Sequence, residues 1–203
     1  MGTRNLTMVI KDKKPIIAQY GQFNGFPSRQ GVTILEFLRN TDMEKFEKQL
    51  KRVRFITPKK ENEINKYLKS IGCVDGYLDM EQVSEYRKKY PLLSRETGGN
   101  VLDMIYNDNG RNLLWLYDKS DFAADSLYCE WAYVIDLDNG TLGVYRGFNT
   151  TPLTKKDRFF YLQKNIHNNG YYPVKKLTAF SLIKLPTNKR FISLCNKLNE
   201  KYE

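Results

Sequence analysis

The amino-acid sequence predicts one α+β domain over all 203 residues, in which a largely antiparallel sheet packs against helices. Two β-compatible runs, Asn5 to Ile10 and Pro15 to Gly21, flank a short polar turn and indicate an N-terminal β-hairpin. Two further β-rich runs, Tyr128 to Leu137 and Thr141 to Phe148, flank Asp138-Asn139-Gly140, and Asn-Gly is a strong signal for a second hairpin. Apolar residues at helical spacing dominate the chain between the two hairpins.

The remaining elements follow from capping residues and apolar spacing. A short β run from Val53 to Thr57 is expected to stop at Pro58, and a strand is expected from Tyr172 to Leu182. Asp42 and Asp79 are suited to cap the helices that follow them. The expected helices are Gly31 to Asn40, Met43 to Lys51, Glu61 to Lys69, Met80 to Lys89, Asn100 to Tyr106, Lys155 to Asn165 and a last amphipathic helix that includes Phe191 and Tyr202.

The charge balance is basic, with 33 Lys and Arg against 23 Asp and Glu and a formal net charge of +10. A positive surface attracts phosphate-bearing partners such as nucleotides or nucleic acids, and also acidic proteins. The same composition arises from codon bias in an AT-rich genome, and the charge is spread along the chain. Met43, Phe46 and Leu50 keep an apolar helical stripe within the densest basic segment, so the lysines there face solvent. Charge alone leaves both interpretations open.

Several classes of protein are disfavoured. No apolar run approaches the roughly 20 residues that cross a bilayer, and no secretory signal is recognisable, so we expect a cytoplasmic protein without a membrane partner. Three dispersed cysteines and the single His167 disfavour a transition-metal site, and neither a metal nor a cofactor is expected. A thiol at Cys129 beside Glu130 is conceivable as a nucleophile, but the expected role of Cys129 is a buried core residue.

The loop from Gln22 to Gly31 offers more hydrogen-bonding and stacking groups than a connector requires. It leads into a helix, whose amino-terminal end favours anions. Its aromatic rings are suited to stack on a nucleobase and its amides to read the edge of that base. The alternative is a Gly/Pro turn whose phenylalanines fill the core. The candidate ligand-binding residues of this loop are Gln22, Phe23, Asn24, Phe26 and Gln30.

A second loop, Ser94-Arg95-Glu96-Thr97-Gly98-Gly99, precedes another short helix. The glycines Gly98 and Gly99 allow backbone N–H groups to approach an anion, and Arg95 is suited to a bidentate contact with it. Arg4, at the start of the first strand, is a further candidate. The alternative is an ordinary capped loop in which Arg95 and Glu96 form local ion pairs.

Three segments carry a resemblance to a known family. The segments Gly2-Thr3-Arg4-Asn5-Leu6-Thr7, Ala18-Gln19-Tyr20-Gly21-Gln22 and Gly25-Phe26-Pro27-Ser28-Arg29-Gln30-Gly31 resemble a family of bacterial, phage and fungal proteins that has no assigned activity. The likeness continues through Leu93-Ser94-Arg95-Glu96-Thr97-Gly98 and Cys129-Glu130-Trp131-Ala132-Tyr133. The resemblance implies a phage- or mobile-element-encoded protein with a role in counter-defence against the host.

More distantly, the opening is similar to the N-terminal-nucleophile hydrolases, which would imply a sandwich fold and amide hydrolysis. In those enzymes the residue exposed by Met removal is Cys, Ser or Thr, and its α-amino group acts as the base. Here that residue is Gly2, which has no nucleophile, and the hydroxyl of Thr3 lies one position further inside.

Two functions therefore remain as expectations. The first is a non-catalytic protein that binds an anionic ligand, either a nucleotide, a nucleic acid or an acidic host protein. The second is an amidohydrolase that uses Thr3 after removal of Gly2. The departure at Gly2 favours the binding protein.

Overall fold

The computed structural model describes residues 2–94, 96–165 and 170–202. In this part of the chain, one sheet of five strands and one of two are combined with six α-helices, which confirms the predicted α+β class. The strands are β1 (Asn5–Lys11), β2 (Lys14–Gly21), β3 (Val53–Phe55), β4 (Leu114–Leu116), β5 (Trp131–Asp136), β6 (Thr141–Arg146) and β7 (Lys175–Ser181). The helices are α1 (Val32–Asn40), α2 (Met43–Leu50), α3 (Pro58–Ser70), α4 (Met80–Lys89), α5 (Val101–Tyr106) and α6 (Asn188–Asn199).

The two predicted hairpins are both present. β1 and β2 pair antiparallel around Asp12 and Lys13, whose φ angles of 53° and 60° make the tight turn that matches the twist of two strands. β5 and β6 pair antiparallel from Trp131 opposite Arg146 to Asp136 opposite Thr141. Both hairpins therefore form where the local turn residues predict them.

The five-stranded sheet has the order β2-β1-β5-β6-β7 and is mostly antiparallel, as predicted. The exception is the contact between β1 and β5, which is parallel and joins the two hairpins into one sheet. β5 is buried on both faces because its side chains alternate between two apolar clusters. Trp131, Tyr133 and Ile135 join the larger cluster with α1 and α6, and Ala132 and Val134 join the smaller one.

Two expectations about element boundaries are wrong, each for a local reason. The helix expected from Glu61 begins earlier, at Pro58, because Thr57 caps it and Pro is well suited to the first helical position. The helix expected from Lys155 to Asn165 is reduced to a 3₁₀ segment, Phe160–Asn165. The carboxylate of Asp157 accepts hydrogen bonds from the N–H and hydroxyl of Thr154, and such local bonds compete with a helix.

The short strands β3 and β4 form the second sheet by pairing in parallel. Arg52 fixes the chain that leads into β4, since its guanidinium donates to the carbonyl of Asn112 and binds the carboxylate of Asp108 at 2.6 Å. Among the described helices, none is long and apolar enough to cross a bilayer.

Candidate functional site

The two loops that the sequence singled out lie next to each other in the structure. An open cleft of about 420 Å³ separates the segment after β2 from the segment before α5, and we call it the loop cleft. Five of the predicted residues line it, namely Gln22, Phe23, Asn24, Gln30 and Gly98. The fold therefore brings together two candidate regions that are more than sixty positions apart in sequence.

Four predicted residues do not line the cleft. The guanidinium of Arg4 lies 4.7 Å from the ring centroid of Tyr128, so it covers an aromatic face elsewhere. Phe26 is half exposed at the start of the helical turn but does not line the cleft. Gly99 lies beneath the Gln30 side chain, and Arg95 falls outside the described residues.

The glycine pair before α5 makes room for the side chain of Gln30. A Cβ atom on Gly99 would lie 1.5 Å from Gln30 Nε2, and one on Gly98 would lie 3.4 Å from Gln30 Oε1. Gly98 also has a φ of +49°, a backbone angle that residues other than glycine rarely adopt. A side chain at position 99 would therefore displace the amide of Gln30, whereas the constraint at Gly98 is its backbone conformation.

Gln30 is a buried side chain that lines the cleft, and its Nε2 has no hydrogen-bond partner among the described residues. Leaving a buried amide donor unpaired costs free energy, typically about 1–3 kcal/mol. Gln30 lies in a short π-helical turn, Pro27–Gly31, which runs directly into α1. Such turns are frequent at functional sites. The unpaired amide therefore singles out Gln30 among the residues of the cleft wall.

The loop is held on the sheet by three hydrogen bonds. The N–H of Gly25 donates to the carbonyl of Thr3 at 2.9 Å, and the buried hydroxyl of Tyr133 donates to the carbonyl of Gly25 at 2.7 Å. Asn5 Nδ2 donates to the carbonyl of Phe23 at 3.1 Å. The loop is therefore anchored to the start of β1 and to its neighbour β5, the central strand of the sheet.

The cleft also contains residues that the sequence analysis did not select, including Ser28, Arg29, Thr33, Glu96, Thr97 and Asn100. Arg29 has no ion pair within the described part of the chain, whereas Glu96 is bonded to Arg87 at 2.8 Å. Among the described residues, the cationic side chain that lines the cleft is that of Arg29. The position of Arg29 within the predicted loop could have identified it from the sequence. Thr97 and Asn100 could not be identified in that way, because their place in the cleft depends on tertiary packing.

The thiols and the hydroxyl of Thr3 lie outside the cleft. Cys129 is completely buried, as predicted, and burial together with nearby Asp125 and Glu130 raises the pKa of its thiol well above the usual value. Cys195 is also buried, which raises its pKa to about 12.

In the described ranges, no group of three His, Cys, Asp or Glu side chains is placed to hold a metal ion, and His167 lies outside those ranges.

Comparison of the chain with protein-family models, with curated proteins and with solved structures finds no match.

We predict that Tyr133→Phe lowers the free energy of unfolding by about 1–3 kcal/mol, because the carbonyl of Gly25 loses its buried donor. Burial raises the pKa of Tyr133 well above its usual value, so the hydroxyl remains a donor at neutral pH. Urea denaturation followed by tryptophan fluorescence measures the change. Tyr77→Phe, at a side chain that is 82% exposed, is the control and should leave stability unchanged. Equal stabilities for the two variants would contradict the anchoring role of Tyr133.

Proposed function

We propose that the chain is a non-catalytic binding protein whose loop cleft binds a nucleotide. The observation that carries this proposal is the unpartnered amide of Gln30, a residue in the wall of a cleft that Arg29 and Phe23 also line. A nucleotide offers a hydrogen-bond acceptor for the amide of Gln30, a phosphate for Arg29 and an aromatic base for the ring of Phe23.

The anion would lie at Arg29. The π-helical turn contains no acidic residue, and no side chain caps its amino-terminal end. A guanidinium favours a phosphate. Ser28 and Thr33 also line the cleft. Glu96 opposes an anion only weakly, because Arg87 neutralises its carboxylate.

The base would stack on Phe23. This ring is 51% exposed and lines the cleft. Stacking of an aromatic side chain on a base contributes about 1–3 kcal/mol. The amides of Gln22 and Asn24 flank the ring in sequence, and Gln22 Oε1 already accepts from the hydroxyl of Tyr20. That bond orients the amide so that its NH₂ group is the part available to the base.

Calorimetric titration of the whole chain with ATP and with inorganic phosphate tests the proposal. We expect ATP to bind, and we expect Arg29→Ala and Phe23→Ala each to raise the dissociation constant about tenfold, since each removes roughly 1.4 kcal/mol of interaction. Inorganic phosphate should bind more weakly than ATP and should be insensitive to Phe23→Ala.

Matched controls exist elsewhere on the protein surface. Arg190→Ala removes an exposed arginine from α6, and Tyr161→Ala removes a ring that is 53% exposed; neither residue lines the loop cleft. Both controls should bind ATP as the wild type does. Wild-type protein that binds no ATP, or Arg29→Ala and Phe23→Ala variants that match their controls, would refute the proposal.

A further inference from the structure

The loop cleft is the first of three clefts that follow one another on the surface. A neighbouring cleft of about 630 Å³ is lined by α4, and it shares Glu96 with the loop cleft. A third cleft, of about 390 Å³, lies between the end of α4 and β4 and shares Lys88 with the second. Consecutive clefts share a lining residue and are therefore neighbours on the surface, and we call the three together the long groove.

The far end of the long groove presents aromatic faces beside cations. Tyr90 and Trp115 are half-buried and line the third cleft with Lys88 and Lys89. The ammonium of Lys60 lies 5.6 Å from the ring centroid of Trp115 and 6.0 Å from that of Tyr90. Lys60 is also paired with Glu63 at 2.8 Å. The ammonium of Lys89 lies 3.7 Å from the ring centroid of Tyr67, so this end combines aromatic rings with several cations.

The carboxylates that line the long groove are neutralised. Glu96 is bonded to Arg87 at 2.8 Å, and Asp108 is bonded to Arg52 at 2.6 Å. Lys88 is exposed and has no ion pair among the described residues. Basic residues are favoured at the end of a helix by its dipole, which accounts for their position on α4. The dipole does not account for aromatic rings placed beside them.

We propose that the long groove binds single-stranded nucleic acid, with one base on Phe23, another on Trp115 and the intervening phosphates along Arg29, Lys88 and Lys89. Aromatic platforms in a positively charged groove are the features that bind unstacked strands. A duplex keeps its bases stacked and cannot use two such rings. This inference rests on the proposed function, because the base on Phe23 is the nucleotide site described above.

Fluorescence anisotropy with labelled oligothymidylates, from a dinucleotide to a dodecamer, tests the inference on the whole chain. We expect affinity to rise with length. Trp115→Ala should weaken binding of the dodecamer about tenfold, as expected for the loss of one stacked base. The double variant Lys88→Ala/Lys89→Ala should weaken dodecamer binding by a similar factor. It should also make the slope of the logarithm of the binding constant against the logarithm of the salt concentration shallower by roughly 1.4, or about 0.7 for each lost phosphate contact.

The controls separate this inference from the proposed function. Lys155→Ala/Lys156→Ala removes the same charge from exposed positions away from the groove and should leave dodecamer binding unchanged. ATP binding should be unchanged in the Trp115→Ala variant, which also verifies that the variant is folded. A dodecamer that binds no tighter than the dinucleotide would overturn the inference while ATP binding at Phe23 stands.

Two other outcomes are also decisive. A duplex that competes as well as a single strand of equal length would exclude the stacking geometry and overturn the inference. Dodecamer binding that depends on Trp115 and Lys88, in a chain that binds no ATP, would support the long groove and refute the nucleotide site.

Discussion

Replacing Asp136 by asparagine is expected to lower the free energy of unfolding by about 3 kcal/mol, because the change breaks an ion pair in which the carboxylate is buried and the guanidinium is partly buried. Asp136 is 2% exposed, and its carboxylate is bonded to the guanidinium of Arg158. The backbone N–H and side-chain amide of Asn139 also donate to it, at 3.0 and 2.9 Å. An asparagine would direct an NH₂ group at one set of these donors and leave Arg158 without its counter-charge.

The same site predicts how stability depends on pH. Burial alone raises the pKa of Asp136, but the hydrogen bonds from Asn139 and the charge and hydrogen bond of Arg158 outweigh it, so the pKa lies below its usual value. A carboxyl group of this kind stabilises the fold above its unfolded pKa of about 3.9, and the contribution is lost as the pH falls through the folded value. The stability difference between wild type and Asp136→Asn should therefore be constant near neutral pH and shrink below about pH 4.

Urea denaturation between about pH 7 and about pH 2.5 measures both effects. Arg158→Met and the double variant complete a cycle that isolates the pair. We expect the double variant to be less destabilised than the sum of the single variants, because the two changes remove opposite charges together. Additive losses, or a difference that does not change with pH, would show that the two groups are not coupled.

Local elements of this fold were predictable because their determinants are adjacent in sequence. The turn at Asp12 and Lys13 and the turn before Thr141 each connect neighbouring strands, and Asp79 forms the capping box that begins α4. Such features depend on a few consecutive residues and on the conformations those residues favour.

The pairing between elements that are distant in sequence was not predictable in the same way. β1 pairs in parallel with β5, and β3 with β4, across more than fifty positions of intervening chain. Alternating apolar residues show that β5 is buried, but they do not identify the neighbouring strand. The choice depends on how the whole core packs.

The same difference between local and long-range determinants applies to the candidate site. The sequence singled out Phe23 and Gln30 in one loop and Gly98 in another, and the structure places all three on one cleft. Arg4 was chosen for its charge and instead covers the ring of Tyr128, a contact that requires the fold to be known. Trp115 was not selected because its neighbours in sequence contain no basic cluster; the lysines that approach it come from α3 and α4.

The second large effect is expected at Gly147, which follows β6. A Cβ atom there would lie 2.3 Å from the carbonyl oxygen of Cys129 and 2.5 Å from that of Ser126. Both are backbone atoms, and the N–H of Gly147 is itself bonded to the carbonyl of Glu130 at 2.9 Å. A side chain can rotate away from an added methyl group, but a hydrogen-bonded backbone cannot do so without breaking its bonds.

We therefore expect Gly147→Ala to lower the free energy of unfolding by about 3 kcal/mol or more, at the upper end of the overpacking range. Gly140→Ala is the matched control, since Gly140 has a φ of +59° and no atom within 4 Å of the added Cβ. Its cost should be about 1 kcal/mol, from the left-handed conformation alone. Urea denaturation of both variants separates steric from conformational strain. If Gly147→Ala were no more costly than Gly140→Ala, the segment from Ser126 to Glu130 would have to move freely against β6, and its backbone contacts would contribute little to the fold.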